Sequence, residues 1–314
     1  MPRAAVIRES GSAELVEVPL PVPGEGEVRV RLEGSGVCGS DLPVWVGRPW
    51  FEYPRPPGAP GHEGWGVVDA VGSGVSGLRE GDRVAGLVYR AYADYDVARA
   101  ADLVPLPEGA GPFPGEALGC AVNVVCRSGI REGDTVAVVG AGFLGCVIVQ
   151  LAAAAGARVL AISRRSSALE TAAAMGAAET IALEEPVSER VEELTGGELC
   201  DVVIEAAGVQ STLDVAGPLT RTRGRLVIAG FHQDGSRQVD MQLWNWRGLD
   251  VVNAHERDPA LYVKGIREAT VAVAAGRLDP SPLYTHRFEL DQLDVALDTA
   301  VERPEGFIKA LVMA

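Results

Sequence analysis

Cysteine is scarce: there are 5 in 314 residues, at Cys38, Cys120, Cys126, Cys146 and Cys200, too few and too scattered for a disulfide scaffold. Such thiols suit a reducing compartment, where each serves as a ligand or as a buried apolar group. Positive charge is short as well, with 28 Lys and Arg against 43 Asp and Glu and a net charge of −15. A chain this acidic has no electrostatic footprint for a phosphate backbone, so no nucleic acid is expected as a partner. No apolar run follows Met1, and acids at Glu9, Glu14 and Glu17 come soon after, so no export signal is expected. One uncharged stretch, residues 136–157, has the length of a membrane span, but it carries Gly140, Gly142, Gly145 and Gly156. It splits into a β-branched run and a helical run, and a buried strand–turn–helix gives the same hydropathy. The expectation is a cytoplasmic globular protein that does not enter a membrane.

What is present fits that expectation. The chain is 47% apolar and 23% charged, the composition of a packed protein, and its length suits two domains. Up to about residue 105, short strands are punctuated by glycine and proline, and residues 27–33 alternate strictly between apolar and charged. From about residue 133 the rhythm becomes strand then helix, with strands expected at 135–139, 158–162, 201–205, 224–229 and 249–252. Helices are expected at 143–155 and 167–175. This alternation predicts an α/β protein with a parallel sheet covered on both faces. A helix (260–275), a strand-like 284–290 and a helix (293–301) close the chain. The domains are read as 1–120, 121–256 and a return segment, 257–314.

Gly140-Ala-Gly142-Phe143-Leu144-Gly145 follows an apolar strand and opens a helix, the context that makes G-x-G-x-x-G a dinucleotide signature. The first glycine permits the tight turn, the second lets the main chain approach a pyrophosphate, and the third allows close helix–strand packing. An NAD site calls for a carboxylate about 20 residues on. Here Ser163, Arg164 and Arg165 stand at that point, with no acid between Arg158 and Ala168. A hydroxyl and two guanidiniums suit a 2′-phosphate, which predicts NADP(H). Ala207 and Gly230, just past the strands at 201–205 and 224–229, complete the cofactor set.

Two further motifs, Gly36-Val-Cys38-Gly-Ser40-Asp41 and Gly61-His62-Glu63-Gly-Trp-Gly66, lie in the β-rich region, with Cys38 and His62 separated by 24 positions. With the glycine motif downstream, the chain resembles the zinc-dependent medium-chain dehydrogenase/reductase family over nearly its whole length. The resemblance implies a GroES-like β-rich catalytic domain, a doubly wound Rossmann domain, and one catalytic zinc between them. It implies zinc ligands at Cys38 and His62 and a third at Glu116 or its rival Cys120, with Glu63 as an exchangeable ligand. The stretch at Glu116 is similar to that of the polyol and threonine dehydrogenase branch. The lobe of four cysteines that holds a structural zinc in many relatives is absent. Pro43 occupies the place of a proton-relaying histidine, so a relay starts at Ser40, and Asp41 orients His62.

The activity implied is hydride transfer between NADP(H) and a secondary alcohol or ketone, on a polyol, sugar or cyclitol, by a homo-oligomer (dimer or tetramer). Trp45 and Trp50 lie in the loop expected to line the substrate cleft, with Phe51 and Tyr53 beside them, and Asn253 and His255 are further substrate candidates. Packing of those aromatics in the small domain is the competing reading. His232 and His286 are read as structural. A zinc-free quinone or enoyl reductase and a catalytically silent NADP-binding protein are the alternatives that Cys38, Ser40 and His62 oppose.

Overall fold

The computed structural model describes every residue except Glu185. The chain divides into two compact units. The first comprises Met1–Gly119, Arg257–Ala274 and Pro280–Ala314; the second comprises Cys120–Glu256 and Ala275–Asp279.

The first unit opens with a hairpin of β1 (Arg3–Glu9) and β2 (Ser12–Glu17). Then follow β3 (Glu27–Gly36), the short α1 (Leu42–Trp45), β4 (Glu63–Val71), β5 (Arg83–Gly86), β6 (Tyr95–Arg99) and β7 (Leu103–Pro105), after which α2 (Gly115–Ser128) carries the chain into the second unit from Cys120 on. Alternation decides β3, where Val28, Val30 and Leu32 point into the core and Arg31 points out. Glycine takes over at its end. A Cβ on Gly34 would stand 2.7 Å from the Trp65 ring, and one on Gly36 only 1.9 Å from Glu63 Oε2.

The second unit alternates strand and helix: β8 (Thr135–Val139), α3 (Phe143–Ala154), β9 (Arg158–Ser163), α4 (Ser166–Ala174), β10 (Glu179–Ala182) and α5 (Val187–Thr195). It continues with β11 (Cys200–Glu205), α6 (Gln210–Leu219), β12 (Thr220–Ile228), α7 (Met241–Arg247) and β13 (Asp250–Asn253). The strands form a wholly parallel sheet in the order β10-β9-β8-β11-β12-β13. Its order reverses between β8 and β11, the switch point at which such sheets open a crevice for ligands. Ala137, Val139, Leu160, Ile162, Val203 and Leu226 are fully buried, as strands covered on both faces must be. The uncharged stretch at 136–157 is therefore strand, turn and helix, much of it buried in the unit's core. No helix among the described residues is long and apolar enough to cross a membrane.

The chain then returns to the first unit through α8 (Pro259–Ala274), β14 (His286–Glu289), α9 (Leu293–Glu302) and β15 (Ala310–Met313). That unit's main sheet runs β14-β15-β3-β4-β5-β7, with β6 also paired to β3. Two expectations shift in extent. The strand expected at 224–229 begins at Thr220, and the one at 284–290 contracts to His286–Glu289 because a 3₁₀ turn, Ser281–Leu283, occupies the approach.

Candidate metal centre and nucleotide site

β3 and β4 bring the two motifs together. Their antiparallel register sets Gly36 opposite Glu63, so the chain leaving β3 at Cys38 runs beside the chain entering β4 at His62. Ligand atoms of Cys38, His62 and Glu63 all lie within 4.8 Å of one another. A tight turn supports the thiol: Asp41 N–H donates to the Cys38 carbonyl (3.0 Å), and Cys38 N–H donates to Asp41 Oδ2 (2.9 Å).

The imidazole is held in one orientation. Its Nδ1 donates to the Pro60 carbonyl at 2.9 Å and stands 3.3 Å from Asp41 Oδ1, so Nε2 is the nitrogen left to face the thiol. Ser40 Oγ donates to Cys38 Sγ at 3.2 Å and lies 3.4 Å from His62 Nε2, and one hydroxyl proton cannot serve both. Asp41 is fully buried and also accepts from the Tyr92 phenol at 2.6 Å. Burial pushes the His62 imidazolium down, but Asp41 and then Cys38 outweigh it and hold the ring well above its ordinary value. Burial, and then the charge of Asp41, push the Tyr92 hydroxyl up, keeping it a proton donor.

Behind the cluster is an ion pair that the motifs do not announce. Lys309, 5% exposed, places Nζ 2.7 Å from Oε1 and 2.6 Å from Oε2 of Glu63, which is itself fully buried. Burial lowers that ammonium, but Glu63 and then Cys38 more than restore it. Glu63 Oε2 and Asp41 Oδ1 are buried oxygens with no hydrogen-bond partner among the described residues. The half-buried Cys38 thiol and His62 imidazole converge with the buried Glu63 carboxylate, and these are donor types that suit zinc. Glu116 stands half-buried in the first turn of α2, with Cys120 one turn further along.

The aromatic loop is divided. Trp45 is 2% exposed, packs in the core with Ile7, Val37 and Leu297, and donates Nε1–H to Asp298 at 2.7 Å. It is therefore a core residue, and the expectation that it stacks on substrate is corrected: its indole has no free face. Phe51 and Tyr53 pack on the same cluster, with the Tyr53 hydroxyl bonded to the Val44 carbonyl. Trp50 is exposed.

In the second unit the three glycines have distinct surroundings. Gly140 has φ +113°, a backbone that L side chains rarely adopt, and a Cβ on Gly145 would stand 1.9 Å from the Gly140 carbonyl oxygen. Around Gly142 nothing lies within 4 Å of a Cβ position, so that side of the turn is open. Gly142 caps α3 in an extended conformation and without a side-chain hydrogen bond, and a helix N-terminus of this kind favours an anion. Leu144 follows in the same turn, half-buried. Ser163 ends β9, Arg164 is exposed, and Arg165 caps α4, its N–H directed at Ser163 Oγ at 3.4 Å. Glu205, fully buried, accepts from Ala207 N–H, Gly208 N–H, Thr212 Oγ1 and His232 Nε2 at 2.7–2.9 Å. His232 and Glu205 thus fix the turn that carries Ala207. Gly230 packs so closely on Gly208 that a Cβ would meet its nitrogen at 2.1 Å. Asn253 is exposed, with its Oδ1 accepting from His255 N–H at 3.0 Å, and the His255 ring tilts against Phe231.

Comparison with known proteins places this geometry. Residues 24–163 match the alcohol dehydrogenase GroES-like domain and residues 144–269 the zinc-binding dehydrogenase domain. A sorbitol dehydrogenase from Gallus gallus is 30% identical, over 96% of this chain and 94% of its own length. The chain belongs to the zinc-type medium-chain dehydrogenase family. Among solved structures, a zinc-binding dehydrogenase from Sinorhizobium meliloti 1021 bound to NADP is 27% identical, with a TM-score of 0.88 over 100% of this chain and 99% of the other. An alcohol dehydrogenase from Escherichia coli CFT073 complexed with NADH is 26% identical, with a TM-score of 0.89 over the same shares. The family gives an oxidoreductase of the alcohol dehydrogenase type, built from a GroES-like and a Rossmann domain, with zinc and a nicotinamide dinucleotide as its general equipment. The sequence motifs did not mark Tyr92 or Lys309. A lone lysine within the apolar run from Phe307 to Met313 was the available signal, because such a cation is buried only when paired.

Proposed function

We propose that this protein is an NADP(H)-dependent alcohol dehydrogenase or ketone reductase with one catalytic zinc, acting on a secondary alcohol of a polyol, sugar or cyclitol. The observation that carries the reading is the convergence of the Cys38 thiol, the His62 imidazole and the buried Glu63 carboxylate in one cluster. Cys38 and His62, with Glu116 as third ligand or Cys120 in its place, hold the metal. Zinc, when bound, supplies the Lewis acidity that makes an alcohol acidic and a carbonyl electrophilic. Asp41 fixes the imidazole so that Nε2 faces the cluster. Ser40, half-buried beside the exposed Gly39, moves the substrate's proton between cluster and solvent.

The turn from Gly140 to Gly145 receives the pyrophosphate, with Ala207 and Gly230 walling the same crevice. Ser163, Arg164 and Arg165 bind the 2′-phosphate, and the absence of an acid in this segment supports NADP(H) over NAD(H). Trp50, Asn253 and His255 are the substrate-side candidates that keep some exposure. A zinc-free reductase or a silent nucleotide carrier has no need of the Cys38–His62 arrangement. None of the five cysteines forms a disulfide, which supports a cytoplasmic enzyme. The strand β13 is the open edge of its sheet, with Asp250, Val251 and Asn253 exposed, and this supports a homo-oligomer joined there.

One experiment tests the core of the reading. Purified protein is assayed for zinc and turned over with polyols, cyclic alcohols and ketones, using NADPH and NADH in parallel. The expected result is one zinc per active site and a preference for NADP(H). Cys38→Ser should abolish turnover while NADPH binding survives. Turnover that persists in metal-stripped protein overturns the reading.

A further inference from the structure

Three side chains of the second unit form a hydrogen-bonded chain that ends in the buried carboxylate of Glu205. Arg237 Nε–H donates to His232 Nδ1 at 2.8 Å, and His232 Nε2 stands 2.9 Å from Glu205 Oε2. A guanidinium does not give up its proton, so Nδ1 can only accept here and the ring's hydrogen lies on Nε2. Arg237 thereby selects the tautomer. With the hydrogen on Nδ1 instead, Nε2 would turn a lone pair toward the carboxylate.

The far end of this chain belongs to the loop between β12 and α7, which lies on the turn after β11. Arg237 Nη2–H donates to the Gly208 carbonyl at 3.1 Å and also reaches Asp234. Gln238 N–H donates to Gln210 Oε1 at 3.0 Å, and Gln210 Nε2 donates back to the Gln238 carbonyl at 2.8 Å. A Cβ on Gly208 would stand 2.7 Å from the Phe231 carbonyl oxygen. The near end reaches the nucleotide turn. Glu205 Oε1 accepts from the N–H groups of Ala207 and Gly208, and Ala206 N–H donates to the Val139 carbonyl at 2.9 Å. A Cβ on Gly140 would stand only 3.0 Å from the Ala207 Cβ, so the first glycine of the motif packs directly on this turn. We infer that Arg237 and His232 are positioning residues for the dinucleotide. Acting through Glu205, they hold residues 206–208 against Gly140 and so shape the crevice at the switch between β8 and β11. This rests on the dinucleotide reading above and deepens it, since neither residue belongs to the glycine motif or to the group assigned to the 2′-phosphate.

The test uses the full chain, titrated by fluorescence with whichever of NADPH and NADH the wild type binds more tightly. Arg237→Met frees the ring to take the other tautomer. Dinucleotide binding should weaken about tenfold, the scale of one hydrogen bond to a charged group, and the loss should appear in KM for the dinucleotide rather than in kcat. Glu205→Gln sets an amide N–H against His232 Nε2–H and should weaken binding similarly. Arg237→Gln places an oxygen as many bonds from the main chain as Nε is, so it can accept where arginine donates. Combined with Glu205→Gln it runs the chain backwards, and most of the affinity lost in Glu205→Gln should return. Nitrogen NMR of the imidazole should find the hydrogen on Nε2 in the wild type and on Nδ1 in the double variant. A merely structural arginine would lower the unfolding temperature of Arg237→Met and leave its dinucleotide affinity intact, which overturns the inference. A double variant no better than Glu205→Gln overturns it as well. Should the Glu205 variants not fold, Arg237→Met and the wild-type tautomer decide, and a wild-type hydrogen on Nδ1 overturns it. A wild-type chain that binds neither dinucleotide overturns the dinucleotide reading itself, a result distinct from a variant that binds as wild type does.

Discussion

At the residue scale, the candidate centre depends on hydrogen bonds that fix one imidazole. Tyr92 donates to Asp41, Asp41 faces Nδ1 of His62, and Nε2 is left to the cluster. Tyr92→Phe removes a bond to a buried carboxylate, which is worth about 1.5–3 kcal/mol. We expect a matching loss in urea unfolding and zinc affinity weaker by about tenfold or more, measured by chelator competition. Thiols elsewhere should behave differently from Cys38. Burial pushes Cys146 and Cys200 up to about 12. Their raised values mean that the folded state retains thiol protons the unfolded chain gives up. The stability they contribute is present in full below the unfolded thiol value of about 8.5 and is lost as pH rises from there toward about 12. The slope is about 1.4 kcal/mol per pH unit for each thiol, readable from denaturant unfolding at pH 8, 9 and 10. Alkylation at pH 8 should modify exposed Cys126 first and leave Cys146 and Cys200 untouched until the chain unfolds.

At the element scale, the nucleotide turn is the best-resolved prediction of the sequence. Gly145→Ala would place a methyl 1.9 Å from the Gly140 carbonyl oxygen and force α3 away from β8. A loss of about 1–3 kcal/mol follows from such overpacking, together with weaker NADPH binding, by thermal unfolding and fluorescence titration. This turn was legible because Gly140 and Gly145 answer local demands of backbone angle and close packing that residue type alone reveals, while Gly142 borders open space. The convergence of Cys38 with His62 was legible only through resemblance, since it depends on the register of β3 against β4. Glu63 shows the limit more sharply. The motif marks it as an exchangeable ligand, whereas its partner Lys309 enters from β15's approach, 246 residues on, where no local pattern points to it. Trp45 failed for a related reason: an aromatic in a loop between metal motifs reads as a cleft residue until α9 is known to cover it. The helices α5, α6 and α7 went unread, α6 because it carries Pro218 and α7 because its two tryptophans obscure any apolar stripe.

At the scale of the whole molecule, the acidic surface and the exposed edge strand set the remaining expectation. Val251 on β13 and Met241 and Trp246 on α7 are exposed apolar residues of one neighbourhood of the second unit. A lysine on an edge strand blocks pairing between copies. Val251→Lys should therefore shift the protein toward monomer in sedimentation velocity, leaving the zinc content of the first unit unchanged. An oligomeric mass identical to wild type would overturn the contact proposed at β13.

The interleaving of the first unit's sheet also sets an order of events during synthesis. Strands β8 to β13 emerge from the ribosome as one uninterrupted block, so the nucleotide-binding unit has all the strands of its sheet while translation is still under way. β3, translated far earlier, waits for β15 to arrive beside it. Lys309 precedes β15 directly, so the carboxylate at Glu63 meets its counter-ion only after the whole second unit has been translated. Nascent chains paused before that point would carry a formed nucleotide crevice and an immature metal cluster.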